Sequence, residues 1–157
     1  MAAKVVGKRS PRWAFWARMM IPCRDGSDYL FRLRIIQTPW FGVYLHDIYE
    51  DDGDRDPHNH PWSFVSLVLR GHDTERCFGD PGHGRDDYTL KTHKRFSVHR
   101  MGRDSAHRIV EAAPGLKTLI VTGPRRASWG FFRQDPGVSQ HGIYEDWTDY
   151  EREIGTL

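Results

Sequence analysis

No long apolar run is present in this chain. Its most apolar stretches, Trp13 to Ile21 and Trp62 to Leu69, are too short to cross a bilayer, and Arg18 interrupts the first. Lys4, Lys8, Arg9 and Arg12 ahead of that first stretch have the outline of an export signal. The core behind them is short and broken, and Pro22 beside Cys23 spoils a lipoprotein cleavage site, so no export is expected. Cysteine is scarce. Cys23 and Cys77 are far apart and match no metal or redox spacing, which fits two reduced thiols in a cytoplasmic protein rather than a disulfide framework. Charge of one sign is scarce too: the formal net charge of +2 is too small to imply a nucleic-acid partner. The sequence carries no phosphate loop, no nucleophile elbow and no cysteine-based zinc spacing.

What is present bounds the answer. A chain of 157 residues holds one domain with a real core. Hydrophobic content of 38%, with 6 Trp, 6 Tyr and 8 Phe, excludes a disordered protein. Glycine and proline are spread along the chain as short strands and turns require. There is no internal repeat, low-complexity linker or second domain.

Three stretches differ in pattern. Residues 1–22 read as a basic tail followed by a short helix or an extended arm, because Trp13, Trp16 and Met20 recur at spacings of three and four after Pro11. Residues 23–134 read as β-structure. Phe31, Leu33 and Ile35 alternate with Arg32 and Arg34, the pattern of a strand with one face buried. That reading places the two arginines on the solvated face; turned inward, their guanidinium groups would grip a carboxylate or phosphate. Further strands are expected at 40–48, at 61–72 with 73–78 returning as its hairpin partner, and near 88–92, 96–101, 106–110, 116–122 and 128–133. Residues 135–157 change period: Ile143, Trp147, Tyr150 and Ile154 recur every three to four residues, predicting a C-terminal amphipathic helix. The expected fold is all-β, a small barrel or jelly roll closed off by short terminal helices.

The chemistry concentrates in Asp56-Pro57-His58-Asn59-His60-Pro61. Histidines two residues apart in extended chain point to the same face. His107, just after the turn at Gly102 to Ser105, is placed to arrive from a later strand. Three neutral imidazoles would suit Fe, Ni, Mn or Zn and leave coordination positions open. The alternative is that His58 and His60 merely cap a loop between prolines. Trp62, Phe64 and Trp129 are candidates for an apolar substrate wall, or plain core. His46, His93 and His99 are single strand histidines, with His99 the reserve ligand.

These residues carry a resemblance. His58-Asn59-His60 with Gly71 resembles the first cupin motif, and Gly102 to His107 resembles the second. The span from strand 40–48 to Trp129-Gly130-Phe131 also resembles small cupin-like proteins of bacteriophage genomes. Asp54-Arg55-Asp56, His58-Asn59-His60-Pro61-Trp62 and Ala106-His107-Arg108 match that group's recurring segments. The resemblance implies a cupin β-barrel, a homodimer and a metal held by His58, His60 and His107. Where cupins carry a glutamate four residues after the second histidine, this chain has Phe64. That leaves a three-histidine face, with Glu75 or Asp47 as substitutes for the lost carboxylate, or a pocket without metal. The implied function is a metal-dependent protein binding a small molecule, an anion being one option, as an oxygenase or isomerase. The alternative is a non-catalytic virion component or host-protein ligand on the same scaffold.

Overall fold

The structure is a computed structural model that describes residues 13–23, 26–52, 56–78, 88–126, 129–133 and 143–146. All regular structure among them is β, so no helix there is long and apolar enough to cross a membrane. The strands are β1 (Ala14–Pro22), β2 (Asp28–Gln37), β3 (Gly42–Ile48), β4 (Phe64–Arg70), β5 (His72–Phe78), β6 (Tyr88–Lys94), β7 (Val98–Met101), β8 (Ala106–Ala112), β9 (Leu116–Thr122), β10 (Gly130–Arg133) and β11 (Ile143–Asp146). A six-stranded sheet runs β1-β2-β3-β9-β4-β7, and a three-stranded sheet runs β6-β5-β8. The β10-β11 pair joins the latter through His58, which bridges both His107 and Phe131. The sheets are not closed into a barrel.

Three expectations change. Residues 14–22 form strand β1, not a helix, antiparallel to β2 from Ala14↔Gln37 to Ile21↔Leu30. Trp16, at φ 51°, drops out of that register. The register keeps the same offset on either side of it, Phe15↔Ile36 and Ala17↔Arg34, so the strand runs through, and the aromatic spacing of three and four mimics a helix by coincidence. At the other end, Ile143–Asp146 is a strand paired with β10, while Trp147, Tyr150 and Ile154 lie outside the described residues. The third change is at Gly71. Strand β5 does not return along β4; it crosses to the other sheet and pairs with β6 and β8. Gly71 makes that corner with φ +78°, and a Cβ there would stand 3.2 Å from the Leu116 Cα.

Cross-strand register sorts the inner face of the large sheet into rows. Leu30, Ile48 and Leu116 form an apolar row, which with Tyr29, Val68 and Ile109 makes the main core; Val68 and Leu116 are wholly buried. The next row inward is Arg32, His46, Thr118 and Val68, and the one after is Arg34, Tyr44, Ile120, Ser66 and His99. A last row holds Gly42, Thr122, Phe64 and Met101. The space between the sheets is therefore apolar at one end and polar at the other. The apolar end supplies stability, since burying one such side chain contributes about 1.5–3 kcal/mol. Unpaired polar groups in the other end cost about 1–3 kcal/mol each, so that end is built for something besides stability.

The arginines on β2 invert the sequence expectation. Arg34 is 5% exposed, and Arg32 lies opposite His46 on the inner side. Strand β3 buries Gly42, Tyr44, His46 and Ile48 in strict alternation, and pairing with it carries Leu30, Arg32 and Arg34 inward. Phe31, Leu33 and Ile35 end up on the outer side, only half-buried.

Gly71→Ala is expected to lose about 1–3 kcal/mol, from the left-handed backbone and the approach to Leu116. Urea unfolding of variant and wild type measures it; equal midpoints would show that the corner tolerates a side chain.

Candidate metal centre

Backbone pairing builds the site before any side chain contributes. His58 N–H donates to the His107 carbonyl and His107 N–H to the His58 carbonyl, each at 3.0 Å. Such a reciprocal pair sets two residues directly opposite with side chains on one face. Asn59 N–H donates to Gly130 O at 3.1 Å, Phe132 N–H to Pro57 O at 2.8 Å, and Gly130 N–H to Asn59 Oδ1 at 2.9 Å. Residues 57–59 thus act as a short strand inserted between β8 and β10. Prolines at 57 and 61 keep longer pairing from forming on either side, because each lacks an N–H.

Asp52 anchors the approach to this segment. It is fully buried, accepts the Tyr29 hydroxyl on Oδ1 and takes the Ile109 N–H on Oδ2 at 2.8 Å. Its backbone N–H donates to Ile109 O at 2.9 Å, and its carbonyl accepts from Arg108 Nε at 3.1 Å. The loop leading to His58 is therefore fastened to the strand that carries His107.

The three imidazoles converge. One nitrogen from each of His58, His60 and His107 lies within 4.8 Å of the others, and His60 Nε2 is 2.8 Å from His107 Nε2. Ring centroids stand 4.7–5.1 Å apart, with interplanar angles of 56° to 79°. Three ring nitrogens this close together are near enough to share one ion once the proton between His60 Nε2 and His107 Nε2 is lost. Burial first, then the charges of His107 and His58, hold the His60 pKa well below its usual range, keeping it in the neutral, ligating form. The donor set and its geometry fit a divalent transition metal.

Glu75 stands behind His107. It is 3% exposed, with Oε2 3.2 Å from His107 Nδ1, an ion-pair approach that falls short of an aligned hydrogen bond. Burial opposes charge on both partners. Their mutual attraction outweighs it, raising the His107 pKa and bringing Glu75 down to about 2. Glu75 thus supports a ligand and does not take the lost carboxylate's place among the ligand atoms. Asp47 does not either: it lies on the opposite face of β3 and pairs with Lys117. Phe64 packs beside the histidines, its ring edge-on to His60 with centroids 5.0 Å apart and 6.4 Å from His107. Trp62 is half-buried against Tyr44, at 6.1 Å. Trp129 packs on Phe131, which in turn touches His58.

A second group, Glu75, His93 and His99, also brings three ligand atoms within 4.8 Å. The His93 and His99 rings, however, are stacked 3.7 Å apart at 13°. Nearly parallel rings direct their lone pairs side by side and not to one point, so this is a stacked pair on a carboxylate. His99, the reserve ligand, belongs here and not with His107. His93 Nδ1 is 2.8 Å from Asp73 Oδ1, directly across the β5–β6 ladder. Sequence reasoning missed Asp73 and Glu75 as partners of His93 and His107. Their spacing of two on a strand was the available signal, but it does not say which face is inside.

The Asp73 contact, ahead of the opposing burial, raises His93 above its usual 6.5. A raised folded-state pKa stabilises fully below about pH 6.5 and loses that contribution as pH rises through the folded value. In ring-proton NMR titrations, Asp73→Asn should move the His93 midpoint from above 6.5 downward; an unmoved midpoint would show that Asp73 does not hold the proton.

No protein-family model matches this chain, and no curated protein matches it. Solved structures do match. An Fe(II) form of HppE aligns with a TM-score of 0.53 at 17% identity, over 77% of this chain and 64% of the other. Hydroxypropylphosphonic acid epoxidase from S. wedmorenis aligns at 0.50 and 18%, over 68% of this chain and 55% of that one. A mannose-6-phosphate-isomerase-like protein from Ralstonia eutropha aligns at 0.50 and 11%, over 60% and 84%. RmlC-like cupins are also among the structural neighbours. The match spans under two thirds of the HppE chain. At these identities the likeness is one of fold: an all-β architecture shared with those proteins.

Proposed function

We propose that this chain is a cupin-type metal protein that binds a small molecule, with His58, His60 and His107 as ligands of Fe, Ni, Mn or Zn. The observation that carries the reading is the convergence of three tilted imidazoles, two of them 2.8 Å apart at Nε2, on one buried point. A metal held there supplies Lewis acidity or redox chemistry, and an oxygenase or isomerase reaction fits such a centre. The chain's own residues do the rest. The Glu75 carboxylate, 3.2 Å from His107 Nδ1, favours a proton on that nitrogen by its charge and so leaves Nε2 for the centre. Phe64 walls one side with an apolar ring, removing the negative ligand that the fold's usual motif provides and excluding water. Trp62 and Trp129 are proposed as the outer apolar wall of the substrate space.

A second reading has one observation in its favour. Trp13, Phe15, Trp16 and Trp40 are each more than 60% exposed, and Trp13 meets Trp40 edge-on. Such a surface suits docking on another chain, in which case the protein is a non-catalytic binding or structural component. Light scattering at high concentration separates a self-associating protein from a monomer.

Inductively coupled plasma mass spectrometry on untagged protein, purified without chelator, tests the first reading. Near-stoichiometric metal is expected in the wild type and is lost in His58→Ala/His60→Ala. Wild type without metal after anaerobic reconstitution would overturn it. Glu75→Gln should retain the site but bind metal about 10–100-fold more weakly, measured by competition with a chelator. Unchanged affinity would show that Glu75 does not support the ligand.

A further inference from the structure

The polar end of the interior holds a cation that the metal reading does not use. Arg32 Nε–H donates to His46 Nε2 at 2.8 Å. His46 is therefore the acceptor and carries its proton on Nδ1. Burial, and then the Arg32 charge, keep it neutral, well below its usual pKa. This contact satisfies one N–H of the guanidinium and none of its charge. Among the described residues, no carboxylate lies within ion-pair distance of Arg32, and its two terminal NH2 groups have no hydrogen-bond partner. The acid beside His46 in sequence, Asp47, faces the other way and is held by Lys117.

The surroundings sharpen the deficit. A second guanidinium, Arg34, follows two residues along on the same inner face and is 5% exposed. Burial, and then the Arg34 charge, pull Arg32 down to about 10, still far above neutral pH, so the cation persists. Arg32 retains some accessible area even so. Opposite His46 on the next strand is Thr118, 3% exposed, whose Oγ1 is buried without a hydrogen-bond partner. One row of the sheet thus presents, among the described residues, a guanidinium with no carboxylate partner whose Cζ lies 5.7 Å from the Tyr44 ring centroid, a neutral imidazole and an unsatisfied hydroxyl. The row faces the histidine triad. Tyr44 stacks on His46 at 6.3 Å and meets Trp62 at 6.1 Å, two residues past His60. The charge of Arg32 also acts on His60.

We propose that Arg32, with Thr118 beside it, is the anchor for a substrate oxyanion, a carboxylate or a phosphoryl-type group, whose remaining part extends toward His58, His60 and His107. The two free NH2 groups present a planar fork to two oxygens, and the oxyanion supplies the charge that the interior lacks. A third oxygen reaches the Thr118 hydroxyl. The inference rests on the small-molecule reading above and names the class of molecule. It also assigns Tyr44 and Trp62 to the wall between anion and metal.

Isothermal titration calorimetry tests this on the full chain, once stripped of metal and once reloaded. The probes are inorganic phosphate, acetate, and acetamide as the uncharged analogue of acetate. One or both anions should bind the stripped protein and acetamide should not; the tighter anion distinguishes a phosphoryl group from a carboxylate. Arg32→Gln should weaken anion binding at least tenfold with metal content unchanged, and Arg32→Lys should recover part of it. Anomalous diffraction from a selenate soak of the wild type should place the ion within hydrogen-bond reach of Arg32, a readout that stands even if the variants fail to fold. Equal binding of acetamide, unaltered binding by Arg32→Gln, or selenate ordered elsewhere would each overturn the proposal. Metal uptake without anion binding overturns this inference alone; Arg32-dependent anion binding without metal overturns the metal reading alone.

Discussion

The exchange of two backbone hydrogen bonds between His58 and His107 is the constraint on which the site depends. It joins residues 49 positions apart in sequence and makes them direct neighbours across a ladder. Once that pair forms, His60 follows on the same side by the pleat of extended chain, and three rings meet without a tight turn or a strained backbone at any of them. The same segment pairs on its other edge with β10, so the histidine arm also sews the β10-β11 pair to the β6-β5-β8 sheet. Fold and site are therefore not separable. The Asp52 contacts with Tyr29, Arg108 and Ile109 secure the arm from its N-terminal side, where the chain leaves the large sheet.

Around that constraint the interior divides its labour. Leu30, Ile48, Val68, Ile109 and Leu116 fill one end and carry the hydrophobic stabilisation. The other end gathers Arg32, Arg34, Tyr44, His46, Ser66, Thr118 and Thr122 from the large sheet, and Asp73, Glu75, His93 and His107 from the facing one. Among the described residues, none of these acids stands within ion-pair distance of Arg32. Asp73 and Glu75 are taken up by His93 and His107, leaving the charge of Arg32 unopposed. A fold tuned only for stability would pair these charges or replace them with apolar groups. Their separation across the interior gives the chamber one cationic wall and one wall of carboxylate-backed histidines.

Much of this was legible in the residues. The strands at 42–48, 64–70, 106–112 and 116–122 follow from short β-prone runs between glycine and proline signals, and the extended His-x-His spacing gives two rings on one face. The turn at Gly102 to Ser105 correctly heralds the strand that starts at Ala106 and carries His107. Other features were not legible. The spacing of Trp13, Trp16 and Met20 was ambiguous because intervals of three and four fit a helix, while the pairing with β2 that makes 14–22 a strand comes from residues outside that segment. The turn into 73–78 looked like a hairpin because glycine marks both a reversal and a corner between sheets, and local sequence is the same for either.

The sequence by itself determined the β class, the extended spacing that puts His58 and His60 on one face, and the place of Phe64 four residues after His60. Alternation has a period but no sign: it states that Arg32 and Leu33 face opposite ways, and not which of them is inside. Only the tertiary structure decided that, because β2 takes its orientation from its ladder with β3, whose buried set is Gly42, Tyr44, His46 and Ile48. It likewise decided that Glu75 backs His107 and that His99 stacks on His93. Those contacts are set by the register between strands from distant parts of the chain, which closes only when the two sheets pack together.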